Sequence, residues 1–152
     1  MVDKLLLYDG VCNLCNAGIQ FVGKRDGARR IMFCSVQSQA AQPYLQRIGL
    51  NKEDVLRRFV FIENSDWSAA STAAARVAKQ MDPPWPLLGS TVMAFPEPVR
   101  DAVYDFVAKH RYSLFGRTQK CQIPGLSLLE RFVDRDELLS SGEQKEAGKK
   151  VN

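Results

Sequence analysis

Two cysteines three residues apart, Cys12 and Cys15 in "YDGVCNLCN", follow directly on a short apolar run that stops at Asp9-Gly10. This junction constrains the fold more than any other stretch of the chain. Before it, "KLLLY" (Lys4–Tyr8) reads as a buried strand. After it the period changes, and Leu14, Gly18, Phe21 and Val22 fall on one face of a helix of about three turns. A chain that passes from strand to helix at a Cys-x-x-Cys places both sulfurs at a helix start.

The same alternation continues downstream. "RRIMFCSV" reads as a second strand, and "AAQPYLQRIG" as a short helix stopped by Gly49. A polar connection, "LNKED", leads to the strand "FVFIE", and Asn64-Ser65-Asp66 turns the chain into a short returning strand at Trp67. Ser71 is placed to cap the next helix, with Ala74, Val77, Ala78 and Met81 as its core stripe. "DPPWPLLG" interrupts the regular pattern with prolines. Val99, Ala102, Val103, Phe106 and Val107 then keep helical spacing up to His110, and Leu126–Val133 reads as a last short helix.

The order β-α-β-α-β-β-α followed by helices predicts an α/β fold, a central mixed sheet flanked by helices. The first βαβ unit makes a parallel pair, and the close "FVFIENSDWSA" pair an antiparallel hairpin. That is the thioredoxin-like plan. The expectation is one domain over residues 1–139, with a helical C-terminal extension from about residue 82. Residues 140–152, "SGEQKEAGKKVN" with its leading serine, have too little hydrophobic content to hold them and read as a disordered tail.

Bulk properties exclude several classes. The 152 residues are 45% hydrophobic and 25% charged, with no apolar stretch near the roughly 20 residues a membrane span requires. The net charge of +4 is spread over separated basic pairs without interleaved aromatics, so nucleic acid is not an expected partner. The N-terminus resembles neither a secretory signal nor a transit peptide, which makes a cytoplasmic location the expectation. In such a compartment four cysteines are catalytic, metal-binding or buried rather than a disulfide scaffold.

Only a thiolate attacks a disulfide, and a helix N-terminus depresses a thiol's pKa through its dipole and unpaired N–H groups. Cys12 stands at that point and reads as the nucleophile. Cys15, about one turn on, reads as the thiol that resolves a mixed disulfide. Asp9 precedes Cys12 by three residues, and its carboxylate either relays the Cys15 proton or caps the helix. Gly10 supplies the backbone shape for the turn into the helix. A structural zinc site needs four ligands, and Cys34, Cys121 and His110 are scattered without pair spacing, so no metal is expected. Cys34 reads as a buried thiol and His110 as a helix-end packing residue, while Cys121 lies in a loop beside basic residues.

Asp9, Cys12 and Cys15 in "YDGVCNLCNAGIQFV" resemble the Asp-x-x-Cys-x-x-Cys signature of the DCC family of thiol–disulfide oxidoreductases. The resemblance extends through "SVQSQAAQ", "FVFIEN", "STAAARVAKQM", "WPLLG" and "VRDAVYDFVAKHRYSLFGRTQKCQIPG", covering about Lys4 to Val133. It implies a thioredoxin-like fold and dithiol–disulfide exchange through Cys12 and Cys15. It also implies that Arg111, Tyr112 and Gly116 lie near the active site, and it ties Cys121, but not Cys34, to the family pattern. One departure concerns thioredoxin itself: where its cis-proline would precede the third strand, this chain has Arg57. An arginine there would favour a thiolate at Cys12.

The implied enzyme needs no cofactor beyond its own dithiol. Its partners are a disulfide-containing protein or small thiol and a separate electron donor, since no nucleotide fingerprint is present. Asn13 and Leu14, between the cysteines, are candidates for setting specificity. A non-catalytic thioredoxin-like module, holding a metal or a partner protein through the same thiols, is the alternative.

Overall fold

Strand β1 (Lys4–Tyr8) is apolar on both faces because it runs through the middle of a four-stranded sheet ordered β2-β1-β3-β4. The structure is a computed structural model, and it describes residues 2–117 and 124–141. β1 pairs in parallel with β2 (Met32–Ser35) and antiparallel with β3 (Val60–Glu63), which in turn pairs antiparallel with β4 (Asp66–Ala69). The parallel βαβ unit and the antiparallel hairpin are therefore both formed.

Alternation along the strands sorts the core into two layers. Leu6, Tyr8, Phe33 and Phe61 point to one face, where Ile19 of α1 (Asn13–Arg25) and Ala73, Val77 and the adjoining Met81 cover them. Leu5, Leu7, Cys34, Val60 and Ile62 point to the other face, under Tyr44 and Leu45 of α2 (Gln42–Ile48). Helices on both sides of a mixed sheet, with a helical C-terminal part, make the expected α/β thioredoxin-like architecture. Gly49 ends α2 in the left-handed conformation, as a helix stop does.

Four local expectations are corrected. The polar "LNKED" forms a helix, α3 (Lys52–Arg57), because Asn51 and Asp54 build a reciprocal capping box at its start. Helix α4 (Ala70–Gln80) has no side-chain cap: Ser71 lies inside it and bonds Asp101 instead. Its buried stripe includes Ala73, whereas Ala74 is exposed. The prolines do not prevent α5 (Trp85–Met93), since Pro86 falls in the first turn, where its missing N–H has no intrahelical partner to lose.

The fourth correction concerns the longest helix, α6 (Glu97–Phe115). Its apolar stripe is not core, and Val99, Val103 and Phe106 are each more than half exposed. Polar contacts fasten it instead. Asp101 and Asp105 pair with Arg58, Asp101 accepts from Ser71, and the Phe59 N–H donates to the Tyr104 hydroxyl at 3.0 Å.

After α7 (Leu126–Leu129) the chain stops being helical and runs beside β2. Phe33 N–H donates to the Arg131 carbonyl at 2.8 Å, and Val133 N–H donates to the Phe33 carbonyl at 2.9 Å. A final helix α8 occupies 135–141, so residues 140 and 141 of the expected tail are helical and 142–152 lie outside the described residues. Cys121 lies outside them too.

Candidate active site

Helix α1 is capped by sulfur. Cys12 is its N-cap, and its Sγ accepts a hydrogen bond from the Cys15 N–H at 3.2 Å. The Cys15 thiol also hydrogen-bonds that sulfur, and this bond does most to lower the Cys12 pKa to about 7. Burial opposes the shift, while the backbone bond and the positive charge of Arg111 add to it. The same shared bond, with burial, pushes the Cys15 thiol far up. The two shifts are opposite in sign, so Cys12 is the sulfur of the pair that ionises first. Asp9 does not cap the helix, because the Cys12 sulfur occupies that role.

Asp9, at the end of β1, is buried and accepts from four groups. Its Oδ1 takes the Val11 N–H at 3.2 Å and the Gln37 side chain at 2.6 Å. Its Oδ2 takes the Tyr112 hydroxyl and, at 3.4 Å, the Arg111 guanidinium. Arg111 further donates to the Leu56 carbonyl, and its buried Nε–H has no hydrogen-bond partner among the described residues. Burial first, and then the bond to Asp9, raises the Tyr112 pKa. Asp9 is therefore the point at which the end of α6 is fastened beside the two sulfurs.

The loop geometry rests on Asn16 and Gln37, which sequence reasoning did not single out. Asn16 Nδ2 donates to the Gly10 carbonyl at 2.7 Å and the Cys12 carbonyl at 2.9 Å. Gln37 accepts from the Gly10 N–H at 2.9 Å while donating to Asp9. Gly10 is thus held at both ends. A buried asparagine just after the second cysteine, where the helix turns toward the core, was the available signal.

The far end of α6 closes over Cys12. Asn13 N–H donates to the Gly116 carbonyl at 3.3 Å, and Asn13 Nδ2 donates to the Phe115 carbonyl at 2.8 Å. Arg117 lies across from Cys12 as an isolated antiparallel bridge. Gly116 has φ 78°, and a Cβ there would meet Asn13 Nδ2 at 3.1 Å, so glycine is required on both counts. Under this strap Cys12 has no exposed surface. Cys15 is half-buried and, with Leu14, lines an apolar cavity of about 410 Å³ between α1, α4 and α6.

The structure gathers Asp9, Gly10, Cys12, Asn13, Leu14, Cys15, Arg111, Tyr112 and Gly116. Arg57 differs: it is exposed at the end of α3, and the cation acting on Cys12 is Arg111. Arg57 cannot serve as expected because α3 turns it outward before β3 begins. Cys34 is buried in β2 with its sulfur 3.3 Å from Ser38 Oγ, and the His110 ring bonds the Phe106 carbonyl one turn back. No three His, Cys, Asp or Glu side chains form a metal-sized cluster among the described residues.

The thiolate assignment predicts a pH profile. Thiolate absorbance of the reduced protein should rise with a midpoint near 7, not near the ordinary thiol value, and be lost as pH falls below it. Arg111→Met should move that midpoint up, because it removes a positive charge. Asp9→Asn should move it down, because it removes an opposing negative one. A midpoint at the ordinary thiol value in the wild type would contradict the assignment.

The model of the DCC1-like thiol-disulfide oxidoreductase family matches residues 6–117. The chain is 44% identical over 131 residues to the uncharacterized protein YuxK of Bacillus subtilis, spanning 86% of this chain and 94% of that protein. It is 39% identical over 119 residues to a chloroplastic DCC family protein of Arabidopsis thaliana, spanning 78% of this chain and 69% of that one. No solved protein structure matches it significantly.

Proposed function

This chain belongs to the DCC1-like thiol-disulfide oxidoreductase family, and we propose that it catalyses dithiol–disulfide exchange with Cys12 as nucleophile and Cys15 as resolving thiol. The observation that carries this reading is the Cys12 sulfur at the start of α1, which receives two hydrogen bonds from Cys15 and lies in the field of Arg111.

The Cys12 thiolate attacks one sulfur of a substrate disulfide and expels the other as a thiolate. Cys15 then loses its proton and attacks the Cys12 sulfur, expelling the second substrate thiol, which leaves protonated. The dithiol gives up two electrons and becomes a Cys12–Cys15 disulfide, which a separate electron donor must reduce. As Cys12 gains its covalent bond, the hydrogen bond that raised the Cys15 pKa disappears. The resolving thiol is thereby released to ionise only after the first step.

Asp9 holds Arg111 and Tyr112 in place and tempers the thiolate. A carboxylate that accepts four hydrogen bonds suits positioning better than proton relay. No helix is long and apolar enough to cross a membrane among the described residues. A reducing compartment such as the cytoplasm suits a chain whose few cysteines include a working dithiol.

The test is a trap. Cys15→Ser, oxidised with a small disulfide, should accumulate a stable adduct on Cys12 that intact-mass and peptide mapping locate, whereas the wild type releases it. An adduct that forms faster on Cys15 in Cys12→Ser than on Cys12 in Cys15→Ser would reverse the roles. Stoichiometric zinc or iron in protein purified without chelator would favour the binding-module reading instead.

A further inference from the structure

The apolar cavity beside Cys15 has no role in the exchange steps above. It is bounded by Phe21, Trp85, Tyr104 and Val107, and the one charged residue on its wall is Arg111. The Tyr104 hydroxyl oxygen accepts the Phe59 N–H at 3.0 Å, which fixes the orientation of the ring on the wall. The space exists because three helices contribute small residues to it: Gly18 from α1, Ala74 and Ala78 from α4, and Ala108 from α6. A Cβ added at Gly18 would meet no atom within 4 Å. Larger side chains at these positions would fill the gap, and its volume is that of a small-ligand pocket.

Access separates the two sulfurs. Cys12 lies under the Phe115–Arg117 strap with no surface of its own, and Cys15 forms part of the cavity wall. A disulfide embedded in a folded protein cannot reach Cys12 past that strap. A small molecule entering the cavity comes up against Cys15, whose N–H lies 3.2 Å from the Cys12 sulfur.

We infer that the cavity is the substrate site, and that it takes a low-molecular-weight, uncharged aromatic or alkyl disulfide with a hydrogen-bond acceptor for Arg111. This deepens the oxidoreductase reading and rests on it. The walls exclude charged disulfides such as oxidised glutathione, because they offer a single charged side chain and otherwise apolar surface. Arg111, the one charged residue on the wall, supplies the polar contact for a carbonyl or ring nitrogen. The exchange balances as written above: the dithiol loses two electrons, and the apolar disulfide leaves as two thiols.

The experiment pairs a reactive probe with an inert one. The reactive probe is 4,4′-dithiodipyridine, aromatic and uncharged at neutral pH with acceptor nitrogens. The inert one is the corresponding dipyridyl sulfide, a thioether that cannot exchange. Reduced wild type should react saturably with the disulfide, much faster than with oxidised glutathione or insulin once intrinsic disulfide reactivity is normalised against free dithiothreitol. The thioether should inhibit competitively and change Trp85 fluorescence in a Trp67→Phe background.

Gly18→Leu and, independently, Ala74→Phe should lower the rate with the disulfide at least tenfold and abolish the fluorescence change. Both variants should still form the Cys12–Cys15 disulfide reversibly, so that a lost rate reports on the filled cavity and not on a lost dithiol. Unaltered rates in both occluding variants, or insulin as the better normalised substrate, would overturn the cavity assignment. A pair that does not oxidise reversibly would overturn the oxidoreductase reading instead, while thioether binding would still report on the cavity.

Discussion

Cys12→Ser is expected to lower the rate of exchange with a small disulfide by at least about a thousandfold, the scale on which loss of a nucleophile acts. The reason is specific to this pair. The hydrogen bond between the sulfurs lowers the Cys12 pKa and, with burial, raises that of Cys15, so negative charge develops on Cys12 first. Serine cannot form a mixed disulfide, and the remaining Cys15 thiol still sits in a desolvating wall. Cys15→Ser should behave differently, keeping the first half-reaction because a hydroxyl can still donate to the Cys12 sulfur. It should lose only release of the second thiol. Stopped-flow rates of both variants, with the folded state checked by circular dichroism, measure the contrast. Equal losses in the two single variants would show that the sulfurs are interchangeable and that the division of charge is wrong.

Arg131→Met is expected to cost about 3–5 kcal/mol of stability, the range for breaking a buried ion pair by removing one partner. Arg131 and Asp26 are both almost fully buried and joined directly. Arg131 also donates to the Ile31 carbonyl at 2.8 and 3.0 Å and to the Gly23 carbonyl at 3.1 Å. Asp26 in turn accepts from the Ile31 N–H at 2.9 Å. The pair therefore ties the end of α1, the approach to β2 and the C-terminal segment together. Methionine fills the volume but strands the Asp26 carboxylate in a buried site. Thermal unfolding should shift down by roughly 10 °C for a chain of this size. The double variant Asp26→Leu, Arg131→Met should lose less than the sum of the two single changes, since it leaves no lone buried charge. Chemical denaturation of the four proteins gives the cycle, and a loss below about 1 kcal/mol in Arg131→Met, within the range of an exposed pair, would contradict the assigned role.

The strands were legible because burial on both faces leaves a plain mark, residues 5–8 and 60–62 being short continuous apolar runs, whereas the antiparallel pairing of β1 with β3 leaves no such mark. The start of α1 was legible because the change of period coincides with the cysteines. Short capped helices hide better. In α3 the six residues Lys52–Arg57 carry four charged side chains, and only the Asn51–Asp54 capping box marks the start. The stripe on α6 misled for the opposite reason. Val99, Val103 and Phe106 have the right spacing for a core face, yet spacing alone does not say whether a partner covers it.

Within the site, Cys12, Cys15 and Asp9 could be read from one turn of sequence. The cation could not. Arg57 stood close in the order of elements, but the guanidinium near the sulfurs is that of Arg111, 102 residues from the Asp9 it bonds. The resemblance of "HRYSLFG" to a family block pointed to Arg111, Tyr112 and Gly116, whereas residue chemistry alone offered no reason to prefer them. Asn16 and Gln37 went unnoticed because their work is to satisfy loop backbone, and that demand becomes visible only once the loop is folded.

The most direct measurement of the central claim is a redox titration of the full chain in dithiothreitol buffers, with intact-mass and peptide mapping of each state. One reversible two-electron transition, forming a disulfide between Cys12 and Cys15 and leaving Cys34 reduced, is the predicted result. A pair that stays reduced across the range, or a disulfide that maps between Cys12 and Cys121, would contradict it.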